Sequence, residues 1–200
     1  MTCAEKIETV FEGNFADTVP FALKGWRIPK GEMERKLRNE GLCIIDSRSV
    51  YKSLSPNTKA ESRTYNRDGA VYQRTTIKTP KGELSSLTKR VPAPKTEGTT
   101  WRMEMMFKGP KDYDAVEFMI KDRQYLPDYE PFLKAKEQSG GEAFFKTSAP
   151  GSPLHTIMYN IMGLETFSLE WAERRERVIA LHDAMAENQR EIYSIIAKSP

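Results

Sequence analysis

The sequence has few cysteines and histidines and no long apolar run. Its two cysteines, Cys3 and Cys43, lie far apart in the chain and in no Cys-x-x-Cys or Cys/His spacing, which argues against a disulfide framework or a zinc module. No stretch approaches the ~18 consecutive apolar residues of a membrane span, and the N-terminus has no apolar signal segment. We therefore expect a cytoplasmic protein with no membrane partner.

Neither sign of charge dominates. The 31 lysines and arginines and 28 acidic residues leave a net charge of +3, which we take to be dispersed along the chain, so we expect no nucleic-acid partner. The sequence also lacks a Gly-rich phosphate loop, a Ser-His-Asp order, a His-Glu-x-x-His motif and an acidic metal cluster. Most generic enzyme classes are thereby disfavoured, and no metal or cofactor is predicted.

Apolar residues are present at the level of a folded chain. They make up 38% of 200 residues, which is lean for a globular protein but too high for a disordered one. Near the N-terminus, the runs Thr18–Leu23 and Leu42–Asp46 read as buried strands, and a helix over 32–40 lies between them with Met33 and Leu37 facing inward. This strand-helix-strand order predicts a parallel α/β unit.

The middle of the chain has a different pattern. Polar residues alternate with apolar or β-branched ones, and turn signals stand at Asp68-Gly69 and at 79–82. We interpret about 62–90 as an inserted antiparallel hairpin region with one face in solvent. A loop is predicted at 91–98 and a further strand at 101–107.

Helices and one more strand are predicted in the remainder. Helices are expected over 111–120 and 128–138, followed by a strand at Ala143–Ser148 and a helix beginning near Leu154. From 173 to 198 the apolar residues recur on one face at helical spacing, which predicts a long amphipathic helix. These residues are Val178, Leu181, Met185, Ile192 and Ile195.

The loop after the third predicted strand contains a first group of candidate residues. In parallel α/β folds, the loops at the carboxyl ends of the strands line the ligand site. His155 and Tyr159 are four residues apart, on one helical face, and the Tyr159 hydroxyl suits a substrate carboxylate. The other interpretation makes both residues part of the packed structure, with Tyr159 a core aromatic.

A second group follows the first two strands. Lys24, Trp26 and Arg27 offer two cations and an aromatic ring to an anionic, planar ligand, although solvated surface cations are the other interpretation. Asp46 ends the second strand and is able to accept hydrogen bonds from ligand N–H groups. Its alternative roles are helix capping and pairing with Arg48.

The order of these segments resembles the uroporphyrinogen decarboxylase superfamily, in particular its divergent decarboxylase-like and corrinoid methyltransferase-like branches. The similar features are the opening Asp17–Phe21 segment, the Asp-Gly hairpin, the Thr-Pro-Lys-Gly strand and a long helix after the last loop. The family's loop Gly-x-Pro-x5-Tyr-x3-Gly carries a substrate-contacting tyrosine, and Gly151, Pro153, Tyr159 and Gly163 match that spacing.

The resemblance implies a fold. It is the α/β class, as the N-terminal part of a (β/α)8 TIM-type barrel with the antiparallel hairpin region inserted. Such a barrel typically takes ~250 residues, so residues 1–200 are expected to form a single, incomplete barrel domain. An open half-barrel exposes strand edges, and we expect either a homodimer or a missing C-terminal half as its partner.

The resemblance also implies a function, a cofactor-free carboxy-lyase acting on a tetrapyrrole-like small molecule. Tyr159 and Asp46 are then the catalytic residues, and Lys24, Trp26, Arg27 and His155 bind the substrate. The family's arginine-rich segment after the first strand is replaced by Leu-Lys-Gly-Trp-Arg-Ile-Pro. One alternative is a corrinoid-dependent methyltransferase-like protein, with a methyl donor as substrate and a zinc site beyond residue 200. Another is a non-catalytic fragment or binding subunit.

Overall fold

The computed structural model describes residues 1–93 and 96–200. Its helices and strands follow one another in this order: α1 Cys3–Phe11, β1 Phe21–Lys24, α2 Glu32–Asn39, β2 Leu42–Ser47, β3 Tyr51–Leu54, β4 Lys59–Arg67, β5 Ala70–Thr79, β6 Gly82–Ala93, β7 Thr96–Glu104, α3 Tyr113–Lys121, β8 Gln124–Pro127, α4 Glu130–Gln138, β9 Ala143–Lys146, α5 Pro153–Thr156, α6 Leu164–Glu173 and α7 Arg175–Ala197. Short 3₁₀ turns occupy Gly25–Arg27 and Pro110–Asp112, and a π-helical segment occupies Ile157–Met162.

The architecture is mixed α/β, as predicted, and the chain forms two compact units. The first unit comprises Met1–Lys52, Leu126–Ala149 and Ile192–Pro200. The second comprises Ser53–Tyr125 and Pro150–Glu191. The chain passes from one unit to the other within β3, within β8, between Ala149 and Pro150, and within α7.

A parallel three-stranded sheet with the order β1-β2-β9 lies at the centre of the first unit. The central strand β2 begins with the predicted apolar run, in which Leu42, Cys43 and Ile44 are all buried. Leu42 and Ile44 pack with Ile28, and Leu37 of α2 packs against them. The strand-helix-strand prediction is confirmed for β1, α2 and β2.

Two burial predictions in this unit are wrong. The first strand begins at Phe21, and its Phe21 side chain is exposed because β1 has a neighbour on one side only. Met33 was predicted to face inward, but it is 57% exposed in the first turn of α2. Only Leu37 of that helix reaches the apolar cluster on β2.

Helix α1 packs against the sheet and brings the two cysteines together. A capping box starts the helix, with the Glu5 amide donating to the Thr2 hydroxyl and the Thr2 amide donating to the Glu5 carboxylate. The Cys43 thiol donates a hydrogen bond to the Cys3 carbonyl over 3.9 Å, and both thiols are free. The cysteines are thus far apart in sequence but adjacent in the fold.

A four-stranded antiparallel sheet with the order β4-β5-β6-β7 dominates the second unit. Turns lie at Asp68-Gly69 and Pro80-Lys81, as predicted. Ile77 and Leu84, which face each other across β5 and β6, are buried against α3. The predicted loop at 91–98 is strand at 91–93 and 96–98, and Pro94 and Lys95 lie outside the described residues.

Helices α3, α6 and α7 complete the second unit. Val178 and Leu181 of α7 are fully buried in the same apolar cluster as Val116 of α3, as the helical spacing predicted. The long C-terminal helix starts at Arg175 instead of 173, because Arg174 leaves helical geometry with φ −139° and separates it from α6. The strand β8 was not predicted.

Candidate functional site

The carboxyl ends of β1, β2 and β9 meet at one edge of the parallel sheet. Lys24, the last residue of β1, is aligned with Ile45, and Lys146, the last residue of β9, is aligned with Ser47. Neighbouring strands of a sheet lie about 4.8 Å apart. The last residues of three adjacent strands therefore lie close together at this edge of the sheet. We call it the carboxyl edge.

Side chains at the carboxyl edge divide between two faces of the sheet. Since side chains alternate along a strand and aligned residues share a face, Lys24, Ser47 and Lys146 lie on one face. Asp46 lies on the other face, with Ile44.

Aromatic contacts agree with this division. Phe144, on the face of Lys146, stacks on Phe11 of α1 at 5.6 Å between ring centroids. Phe145, on the face of Asp46, meets Phe132 of α4 edge-on at 6.0 Å. The two faces are thus covered by different helices, α1 on one and both α2 and α4 on the other, and the lysines do not share a face with Asp46.

The Asp46 carboxylate binds the two residues that follow it in the chain. Its carboxylate accepts a hydrogen bond from the Ser47 amide at 2.8 Å and pairs with the Arg48 guanidinium at 3.0 Å. The Arg48 backbone is fixed in turn, because its amide donates to the Lys146 carbonyl at 3.0 Å. Pairing with Arg48, the alternative role considered for Asp46, is therefore present.

Trp26 and Arg27 leave the sheet in a 3₁₀ turn directly after Lys24. The Arg27 guanidinium carbon lies 4.8 Å from the centroid of the Trp26 ring, and both side chains are exposed. Gly25 precedes them, and a Cβ at that position would lie 3.1 Å from Cγ2 of Ile44. The small residue lets the chain cross closely over β2, so that a cation and an aromatic ring are presented together beside the carboxyl edge.

The second unit brings His155 and Tyr159 together, as their spacing predicted. Their ring centroids lie 4.6 Å apart, and Tyr159 is 48% exposed, while Ile157 and Ile161 beside it are buried. Tyr159 is therefore not a core aromatic. The Ser152 hydroxyl accepts a hydrogen bond from the His155 amide and caps α5.

The π-helical segment that carries Tyr159 was not predicted. Such segments are rare, and they occur often at functional sites. Arg102 of β7 donates to the Asn160 carbonyl and so supports the widened turn. The segment ends at Gly163, whose φ of +81° and close approach to Met105 favour glycine.

No family model matches this chain, and neither the curated proteins nor the solved structures compared with it include a match. The resemblance to uroporphyrinogen decarboxylases thus depends on the sequence segments quoted above.

Within residues 1–93 and 96–200, no group of three or more His, Cys, Asp or Glu side chains is arranged to hold a metal ion. In the same residues, no helix has the length and apolar content needed to cross a bilayer.

Sequence reasoning missed two residues of the carboxyl edge, Ser47 and Lys146. Each is the last residue of a strand whose existence was predicted from the sequence, so a position near the carboxyl edge could have been predicted for both. Their shared face with Lys24 depends on the register, which aligns Lys24 with Ile45 and Ser47 with Lys146. The register of parallel strands cannot be read from apolar runs alone.

Proposed function

We propose that this chain is a uroporphyrinogen decarboxylase-like protein whose carboxyl edge binds a tetrapyrrole-like polycarboxylate as a cofactor-free carboxy-lyase. The observation that carries the proposal is the pair of lysines, Lys24 and Lys146, on one face at the ends of parallel strands. In sheets of this kind, ligands bind beyond the carboxyl ends of the strands. Two ammonium groups there favour a ligand with several carboxylates.

We also propose that the first unit is the beginning of a (β/α)8 barrel. Its support is the parallel order β1-β2-β9, in which the strands follow their order in the chain, with α2 between the first two and α4 before the third. Barrels of this kind place each strand beside its predecessor and a helix after each strand. The antiparallel sheet β4–β7 is then an insertion between the second and third barrel strands.

Recognition of the substrate would combine charge with a planar surface. Lys24, Lys146 and Arg27 would hold carboxylates, and the exposed Trp26 ring would lie against one of the flat pyrrole rings. Holding the substrate by its unreactive carboxylates fixes its orientation, which lowers the entropic part of the reaction barrier. Ser47, on the same face as the lysines, adds a hydroxyl donor.

The resemblance assigns the chemical step to Asp46 and Tyr159. In decarboxylation a pyrrole ring first takes up a proton, the bond between the side-chain methylene and its carboxylate breaks, CO2 leaves, and the electron pair passes to the positive ring. The methylene carbon then takes a proton while the ring releases its added proton, so that a methyl group remains and one proton is consumed overall. A carboxylate stabilises that positive ring, and this is the role proposed for Asp46. Tyr159 and His155 belong to the second unit. The roles that the resemblance gives them, positioning the reacting group and contacting the substrate, rest on the sequence segment alone.

A non-catalytic binding protein is the second candidate function. The observation in its favour is that Asp46 is paired with Arg48 at 3.0 Å and lies on the other face from Lys24 and Lys146. With that acid engaged elsewhere, the carboxyl edge retains cations for binding but no free carboxylate on their face. The two candidates share the ligand and differ in turnover.

An assay of turnover separates them. The chain is incubated anaerobically with uroporphyrinogen, and the products are oxidised and separated by number of carboxylates. The decarboxylase proposal predicts products with fewer carboxylates, a strong loss in Asp46→Asn and Tyr159→Phe, and no change in Lys134→Gln, an exposed lysine of α4. Binding without product supports the non-catalytic candidate, and absence of both binding and product contradicts the proposal.

A further inference from the structure

The positive charge of the chain is concentrated in the antiparallel sheet of the second unit. Residues 59–93 and 96–104, the described part of this segment, contain nine lysines and arginines and five acidic residues, a net charge of +4, whereas the whole chain has +3. The expectation of dispersed charge is therefore wrong, because the remaining residues carry a small negative balance. The sheet is the cationic part of the molecule.

One face of this sheet carries a row of aromatic and cationic side chains. The register aligns Tyr65, Tyr72, Lys89 and Trp101 directly across all four strands. Side chains aligned in this way share a face. It is the face opposite to Ile77, which is buried in the apolar cluster. We call these four residues the aromatic row.

The aromatic row is accessible and already ordered. Tyr65 and Tyr72 stack at 5.4 Å with an angle of 8° between their planes, and the Lys89 ammonium lies 5.7 Å from the Tyr72 centroid. Tyr65 is 45% and Trp101 58% exposed. The three rings therefore stand in one line across the sheet, with Lys89 between Tyr72 and Trp101.

Cations flank the row on the same face. Arg63 lies two residues from Tyr65 on the edge strand β4, it is exposed, and no carboxylate among the described residues pairs with it. Arg74, aligned with Arg63, is held by Glu104 at 2.8 Å. Charged residues on an edge strand also discourage sheet aggregation, but that role does not require a line of aromatic rings.

We infer that the aromatic row is a binding platform for single-stranded nucleic acid, with bases stacked on Tyr65, Tyr72 and Trp101 and phosphates held by Arg63 and Lys89. Four strands about 4.8 Å apart give the row a length of about 14 Å. Sheet-based RNA-binding modules stack two or three bases on a face of this kind. An acidic peptide would use the cations but would leave the exposed rings without a stacking partner. An anionic membrane, whose surface also accommodates tyrosine and tryptophan rings, is separated from a single strand by the vesicle measurement given below.

Fluorescence anisotropy with labelled single strands of about 12 nucleotides, one RNA and one DNA, tests this inference. The intact chain should bind at least one of them at low salt, and binding should weaken steadily as salt is added. A duplex of the same sequence and heparin, a polyanion without bases, should bind more weakly. The ratio of RNA to DNA affinity reports any contact with the 2′-hydroxyl.

Variants separate stacking from charge. Trp101→Ala and Arg63→Glu should each weaken single-strand binding by about tenfold, and Trp101→Phe should restore most of the loss because it keeps a ring. Tyr193→Ala and Lys136→Glu, an exposed aromatic and an exposed lysine of the first unit, are the matched controls and should bind like the wild type.

Three results would overturn the inference. One is no binding of either single strand at low salt. Another is equal binding of heparin and single strands together with an unchanged affinity in Trp101→Ala, which indicates a charge effect only. The third is tighter binding of an acidic peptide or of anionic vesicles than of both single strands.

Discussion

The Arg48 guanidinium, directly after the end of β2, forms an ion pair at 3.0 Å with the carboxylate of Asp46, which lies two residues before it in the chain. Both side chains are partly exposed, at 51% and 37%, and pairs of this kind contribute about 0–1 kcal/mol to stability. We therefore predict that Arg48→Gln lowers the free energy of unfolding by less than about 1 kcal/mol in urea titrations. A larger loss would show that Arg48 has a packing role beyond the ion pair.

Tyr113 and Glu170 form the opposite case, a buried pair in the second unit. The Tyr113 hydroxyl donates to the Glu170 carboxylate at 2.9 Å, and Arg174 approaches the same carboxylate at 3.3 Å. Removing one partner from a buried hydrogen bond costs about 1–3 kcal/mol. Tyr113→Phe is therefore predicted to lower the free energy of unfolding by that amount, and a loss as small as that of Arg48→Gln would contradict this.

The same pair predicts a pH dependence. Burial, followed by the hydrogen bond to Glu170 and the charge of Glu170, raises the pKa of Tyr113 well above its usual value of 10.0. The stabilisation linked to this shift is complete below that usual pKa and is lost as the pH rises above it, because the unfolded chain then ionises more readily. Between pH 9 and 11, the wild type should lose more stability than Tyr113→Phe. Parallel curves for the two proteins would contradict the assignment.

The two cysteines should be poorly reactive while the protein is folded. Burial, followed by the hydrogen bond with Cys43, raises the pKa of Cys3 from 9.0 to about 12, and Cys43 is 3% exposed. The thiolate is the reacting form, so a disulfide reagent at pH 8 is predicted to react at least about a hundredfold more slowly than in denaturant. The variants Cys3→Ser and Cys43→Ser show which cysteine accounts for any reaction that remains in the folded protein. A thiol that reacts as fast in the folded protein as in denaturant would contradict the packing of α1 on β2.

Two glycines of the segment around Tyr159 should respond differently to substitution. Gly163 has φ +81°, and a Cβ there would lie 3.2 Å from Cγ of Met105. A Cβ on Gly151 would meet nothing closer than 4.0 Å. Thermal and urea unfolding should show a loss of about 1–3 kcal/mol for Gly163→Ala and almost none for Gly151→Ala. Equal losses would mean that the backbone at Gly163 is not under this constraint.

Helices and strands were predicted correctly where the spacing of apolar residues along the chain was enough to identify them. The apolar run at Leu42 identified the central strand, and the spacing of Val178 and Leu181 identified the buried face of α7. Burial was predicted wrongly for Phe21 and Met33, because exposure depends on which neighbours a strand or helix has in the fold. The π-helical segment was missed since its apolar residues fit an ordinary helix equally well.

The candidate site was predictable by position but not by face. Lys24 and Asp46 were placed correctly at strand ends, yet the register puts them on opposite faces of the sheet and adds Lys146 to the face of Lys24. The aromatic row was missed for the same reason. Tyr65, Tyr72, Lys89 and Trp101 are far apart in the chain and are aligned only by strand pairing.

The central claim is that the carboxyl edge binds a tetrapyrrole-like polycarboxylate. Its most direct test is a titration of the intact chain with uroporphyrin, followed by the change in porphyrin absorbance. We predict saturable binding that Lys24→Gln and Lys146→Gln each weaken by about tenfold, in line with the loss of one charged hydrogen bond, while Lys134→Gln binds like the wild type. No saturable binding, or equal affinity in all four proteins, would contradict the account.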